Sequence, residues 1–98
     1  MSNTETLEKR FETAIIEIKK LSKKPKQEDM LKLYGLYKRV KVGICNTEKP
    51  WAVQIEACMK WNAWKNVSHL TVNQAMITYI MIVNNLFREN NIFMPIEI

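Results

Sequence analysis

Apolar residues recur every three or four positions along most of the chain, and this periodicity constrains the fold more than any other feature. Leu7, Phe11, Ala14, Ile15, Ile18 and Leu21 follow it near the start; Val72, Ala75, Met76, Tyr79, Ile80, Val83, Leu86 and Phe87 follow it near the end. Such spacing lines one face of an α-helix, whereas a half-buried strand alternates, and no convincing alternation occurs. Only 2 Gly and 3 Pro punctuate 98 residues, too few for a many-turned β architecture. The expected fold class is therefore all-α. Ninety-eight residues without repeat or linker read as a single domain, 1–98, with an apolar tail at 91–98.

Local signals place four helices. Ser2 and Glu5 have capping-box spacing ahead of a first helix near 4–21, and Pro25 stands just beyond its end. A second helix is expected from about Glu28 to Val42, with Gly43 at the position of a left-handed cap. Gly43–Pro50 reads as a connection with Asn46 and Thr47 as turn or cap residues, and Pro50 is poised to open a third helix over Trp51–Lys65. Thr71 and Gln74 form a second capping-box pair, opening a fourth helix near 72–89. Connections of these lengths favour antiparallel neighbours in a bundle.

Several functional classes are disfavoured by composition. The opening MSNTETLEKR is polar and lacks the pattern of a signal peptide. The longest apolar stretch, Ala75–Val83, is far shorter than the ~20 residues of a spanning helix. A soluble, cytoplasmic protein is expected. Cys45 and Cys58 form no C-x-x-C pair and His69 is the sole histidine, so reduced thiols and no metal site are expected. No nucleophile–base pair is visible, so no catalytic residue, enzymatic activity or cofactor is expected either.

Charge is unevenly distributed. Nine basic residues lie between 19 and 41 against Glu28 and Asp29, so this stretch carries +7 and the remainder of the chain −2. That field suits an anionic partner, whether a phosphorylated small molecule, a nucleic acid or a membrane surface; a solvated lysine-rich turn is the plainer reading. On the second helix Leu33, Leu36 and Val40 form the natural core face, while Tyr34, Tyr37 and Lys41 fall on the adjoining face, flanked by Leu31 and Lys38. Rings and ammonium groups side by side suit a ligand with a flat ring and phosphates. Alternatively, the tyrosines cap the edge of the core and the lysines point to water. Trp61 and Trp64, three apart, read as structural anchors.

The run YGLYKRVKVGICNTEKP at 34–50 and KWNAW at 60–64 resemble the acyl-CoA-binding protein family. Its pattern is a Y-x-x-Y-K helix, a V-G-x-x-N-T-x-(K/R)-P loop and a K-W-x-A-W helix. Phe11, Lys24–Pro25, Met30–Leu31 and the A-M-x-x-Y at Ala75–Tyr79 extend the resemblance over roughly residues 5–87. It implies a four-helix up-down-down-up bundle that binds long-chain acyl-CoA such as palmitoyl-CoA noncovalently, without catalysis, cofactor or nucleic acid. By the same resemblance, Tyr34 and Lys38 match holders of the 3′-phosphate and Tyr37 the ring that stacks on adenine. Lys60 matches a phosphate contact from the third helix, and Lys19 and Tyr79 further head-group contacts. Gly35 and Leu36 fall within the binding stretch, and Met30 and Leu31 match the lining of the acyl chain. Coenzyme A carries roughly four negative charges near neutral pH, in keeping with the lysines. A buried acyl chain contributes ~0.8 kcal/mol per CH₂.

The chain departs from the pattern at WAVQIEACMKW, 51–61, where members commonly read G-x-x-D-x-K-G-K-A-K-W. Glu56 and Cys58 stand at two of those lysines, Trp51 replaces a glycine, and Ile44 replaces an aspartate. A glutamate near the phosphates would repel them. Ile77 and Met81 project away from the core face of the fourth helix, and an apolar tail, Ile92–Ile98, follows. Either the tail folds back over them, or the patch serves self-association or transient membrane contact. The alternative function is a small basic helical module that binds nucleic acid, an anionic membrane surface or a protein partner. Glu28 and Asp29 at the start of the second helix make a groove-reading role unattractive.

Overall fold

A computed structural model describes residues 5–90 and contains four helices: α1 (Leu7–Ile18), α2 (Gln27–Lys41), α3 (Ile55–Asn66) and α4 (Val72–Glu89). The all-α expectation holds. Ser2 and the tail at 91–98 lie outside the described residues, and the cap of α1 is Thr6, whose hydroxyl accepts from the Lys9 amide at 3.1 Å. Beyond Ile18 the chain tightens: the amides of Lys19, Lys20 and Leu21 donate to carbonyls three residues back, which ends α1 ahead of the expected residue 21. The reciprocal Thr71–Gln74 capping box forms as expected, with bonds of 2.9 and 3.0 Å. Acidic Glu28 and Asp29 in the first turn of α2, and Lys38, Arg39 and Lys41 in its last, complement the helix dipole. Gly43 takes a positive φ of 123°, and its amide and that of Val42 both donate to the Lys38 carbonyl.

α3 begins four residues later than expected. Trp51 to Gln54 form a separate turn, closed by a 2.8 Å bond from the Gln54 amide to the Trp51 carbonyl, and the helix starts only beyond it.

Among the described residues, α2 packs against α3 and α4, and α1 packs against α4. The pairs that follow one another directly across the shorter connections, α1 with α2 and α3 with α4, are not close-packed neighbours, although Lys41 of α2 reaches Glu12 and the Phe11 ring of α1. Nor are α2 and α3 antiparallel. Tyr34 meets Lys60, Gly35 meets Ala63, and Lys38 meets Trp64, so position rises together along both helices. The two middle helices run the same way, as an up-down-down-up bundle requires. The connection at 42–54 must therefore travel back along the full length of α3.

Three side chains of α3 hold that return in order. The Trp64 Nε1–H donates to the Gly43 carbonyl at 2.8 Å and the Trp61 Nε1–H to Thr47 at 3.0 Å. The Cys58 thiol donates to the carbonyls of Pro50 and Trp51. Each buried or half-buried carbonyl of an irregular segment needs a donor, and the indoles supply it.

The core joins Phe11 and Ala14 of α1 and Leu33 and Leu36 of α2 to Ala75, Met76, Tyr79, Ile80, Val83, Leu86 and Phe87 of α4. Val40 packs at its edge, but Val72, expected on the core face, is exposed because it is the first helical residue, where the chain enters from solvent. α3 contributes nothing to this cluster; its buried residue is Trp64. Ile77 and Met81 are exposed.

At Gly35 the two parallel helices touch backbone to backbone. A Cβ placed there would lie 2.3 Å from the Ala63 carbonyl oxygen. Only glycine permits this approach.

Candidate functional site

α2 and α3 touch at Gly35, and a groove runs between them. One cleft, of about 570 Å³, is lined by Met30, Leu31 and Tyr34 of α2 and by Glu56, Met59 and Lys60 of α3, with Lys24 and Pro25 from the α1–α2 connection. A second, of about 480 Å³, continues past Leu31 and Met59 to Ala63, Asn66 and Val67. Both lie within the usual size of ligand pockets. Met30, Leu31 and Met59 supply apolar lining, while Gln27, Glu28, Lys32, Asn62 and Asn66 add polar groups along the second cleft and Lys24, Glu56 and Lys60 charged groups in the first. There the Lys60 ammonium sits 5.5 Å from the centre of the Tyr34 ring and 3.4 Å from the Glu56 carboxylate.

Four of the expected site residues, Met30, Leu31, Tyr34 and Lys60, line this cleft. The others lie elsewhere. Lys38 reaches over the Trp64 ring at 4.8 Å, one helical turn beyond Tyr34. Tyr37 is exposed and does not line the cleft. Lys19 follows α1 as its exposed C-cap. Gly35 and Leu36 are buried between helices.

Lys41 and Tyr79 meet in a second cluster at Phe11 of α1. Lys41 pairs with Glu12, and its ammonium stands 5.8 Å from the Phe11 ring centre. The Glu12 contact holds the Lys41 pKa above its ordinary value. Phe11 meets the Tyr79 ring edge-on at 5.1 Å. Burial, with a smaller contribution from Tyr37, pushes the Tyr79 phenol up to about 12.

Met59 was missed as a site residue, although a signal for it exists. Glu56, Met59 and Lys60 stand at i, i+3 and i+4, so any face of α3 that presents Lys60 to α2 also presents the other two. Lys24, Pro25 and Gln27 could be placed only once the fold brought their connection to the mouth of the cleft. Among the described residues no group of His, Cys, Asp or Glu is arranged to hold a metal ion, and no helix is long and apolar enough to cross a membrane.

A small helical domain with a groove between two parallel helices, bordered by Met30, Leu31, Tyr34, Met59 and Lys60, has the architecture of a binding module. The family model "Acyl CoA binding protein" matches residues 8–83. An acyl-CoA-binding protein of Dictyostelium discoideum is 41% identical over 76 residues, covering 78% of this chain and 90% of that one. Human acyl-CoA-binding domain-containing protein 6 is 40% identical over 88% of this chain, which spans only 30% of that longer protein. The crystal structure of Oryza sativa acyl-CoA-binding protein 2 superposes with a TM-score of 0.83 at 36% identity, covering 88% of this chain and 96% of that one. The chain belongs to the acyl-CoA-binding protein family.

Proposed function

We propose that this chain binds long-chain acyl-CoA esters such as palmitoyl-CoA, without catalysis, and that it sequesters and carries them within the cytoplasm as a single acyl-CoA-binding domain. The observation that carries this reading is the α2–α3 groove, apolar along Met30, Leu31 and Met59 and cationic and aromatic at Tyr34 and Lys60. The acyl chain takes the apolar walls. The head group takes Tyr34, Lys38 and Lys60, with Lys19, Tyr37 and Tyr79 as further contacts by family resemblance. Several lysines are needed because one exposed ion pair contributes only ~0–1 kcal/mol, whereas each CH₂ removed from water contributes ~0.8 kcal/mol. The head group then sets specificity and the tail most of the affinity.

Isothermal titration calorimetry with palmitoyl-CoA, coenzyme A and palmitate, each below its micellar concentration, tests this. One-to-one binding of the thioester with both fragments far weaker is expected; a thioester that binds no better than its fragments refutes it. Lys38→Ala should weaken palmitoyl-CoA binding by tens of fold, and an unchanged affinity would remove Lys38 from the head-group site.

A further inference from the structure

We propose that Met30 and Met59 form an oxidation site: a peroxide that converts their thioethers to sulfoxides releases the acyl chain from the groove. The release presupposes the acyl-CoA reading above. The apolar side chains lining the first cleft are Pro25, Met30, Leu31 and Met59, besides the Tyr34 ring. Each helix supplies one thioether, Met30 from α2 and Met59 from α3, and Met59 also lines the second cleft. Two of the four aliphatic side chains in the first cleft therefore carry sulfur, and its apolar character depends on their oxidation state.

Met30 is 41% exposed and Met59 is half-buried, so both are open to a small oxidant such as hydrogen peroxide. A lone pair on sulfur attacks one peroxide oxygen and the O–O bond breaks. That oxygen stays on sulfur, its proton passes to the departing oxygen, and the latter leaves as water. Sulfur gives up two electrons and the peroxide takes them. A flexible apolar side chain becomes a polar one, against which hydrocarbon packs poorly, and sulfoxide reductases reverse the change. Neither sulfur belongs to the core around Phe11, Leu36 and Ile80, so the bundle keeps its packing while the groove changes. Two other methionines serve as internal references. Met76 is shielded in the core, whereas Met81 is 49% exposed on α4 and lines neither cleft. A seated acyl chain covers Met30 and Met59 and leaves Met81 open, so ligand and oxidant compete at the first two alone.

The test treats the full chain with hydrogen peroxide, with and without saturating palmitoyl-CoA. Peptide mass spectrometry follows oxidation at each methionine, and calorimetry reads palmitoyl-CoA binding before and after. A double variant, Met30→Leu with Met59→Leu, keeps aliphatic walls of similar volume and is treated alongside. In the free chain Met30, Met59 and Met81 should oxidise, and palmitoyl-CoA should slow the first two severalfold without slowing Met81. Oxidation should weaken palmitoyl-CoA binding about tenfold or more with circular dichroism unchanged, and treatment with both methionine sulfoxide reductases should restore it. Whatever its starting affinity, the double variant should keep that affinity after peroxide, which separates the two sulfurs from Cys45, Cys58 and Met81. Met30 and Met59 that resist peroxide, ligand that protects neither, or an equal loss of binding in the double variant overturns the proposal. Affinity that is the same before and after oxidation of both sulfurs refutes the release alone. An untreated chain that does not bind palmitoyl-CoA refutes the carrier reading, and the release with it.

Discussion

Replacing Gly35 with alanine adds one methyl group where α2 and α3 cross. That carbon would lie 2.3 Å from the Ala63 oxygen, 2.6 Å from its carbonyl carbon and 3.1 Å from the Trp64 nitrogen. A carbon–oxygen contact relaxes at roughly 3.3–3.6 Å, so the helices must separate by about 1 Å. All three obstructing atoms are backbone, so no side chain can rotate away. Alanine improves helix propensity by about 1 kcal/mol, while forced overpacking costs typically ~1–3 kcal/mol, here at the upper end because the backbone itself must move. The expected net loss is about 1–2 kcal/mol, which lowers Tm by about 5–15 °C in a domain of this size. Thermal unfolding followed by circular dichroism measures it. Separation at the crossing should also displace Lys60 from Tyr34 and weaken ligand binding in the same sample. A variant with equal or higher Tm would refute the backbone contact and the parallel pairing built on it.

Glu56→Gln removes the carboxylate that holds Lys60 at 3.4 Å, and should tighten palmitoyl-CoA binding about two- to fivefold by calorimetry, the scale of an exposed charge contact. Unchanged or weaker binding would place the phosphates away from Lys60. Trp64→Phe leaves the Gly43 carbonyl without its donor and puts a smaller ring under Lys38; urea unfolding should show a loss of about 1–3 kcal/mol, and no loss would mean that the return segment does not depend on this pin. The raised pKa of Tyr79 carries a sign. Between its ordinary value of 10.0 and about 12, the folded chain keeps a proton that the unfolded chain has released, so stability is fully present below pH 10 and falls as pH rises through that window. Phenolate absorbance should show one of the 3 tyrosines titrating near 12, and three ordinary titrations would contradict its burial.

Much of the chain was legible because helices are local. The Thr71–Gln74 box, the Gly43 cap, the core stripe of Leu33 and Leu36 and the inner face of α4 each follow from residues within a few turns of one another. Such interactions depend on spacing of three or four residues, which a sequence displays directly. Trp51 misled because Pro50 marks a favourable first helical position, yet the Trp51–Gln54 turn satisfies those backbone groups before α3 begins.

The sequence by itself therefore determined which segments are helical, which face of α1, α2 and α4 is apolar, and that lysines crowd the stretch between 19 and 41. Which helices become neighbours was decided by tertiary structure alone. The parallel pairing of α2 with α3 depends on a missing side chain at Gly35, on indole donors at Trp61 and Trp64, and on carbonyls 14 and 21 residues away. Tyr34 and Tyr37 were thereby parted: Tyr34 lines the cleft beside Lys60, while Tyr37 is exposed outside it. Periodicity assigns a side chain to a face of its own helix. What that face meets is set by packing between residues far apart in the chain, for which local spacing carries no signal.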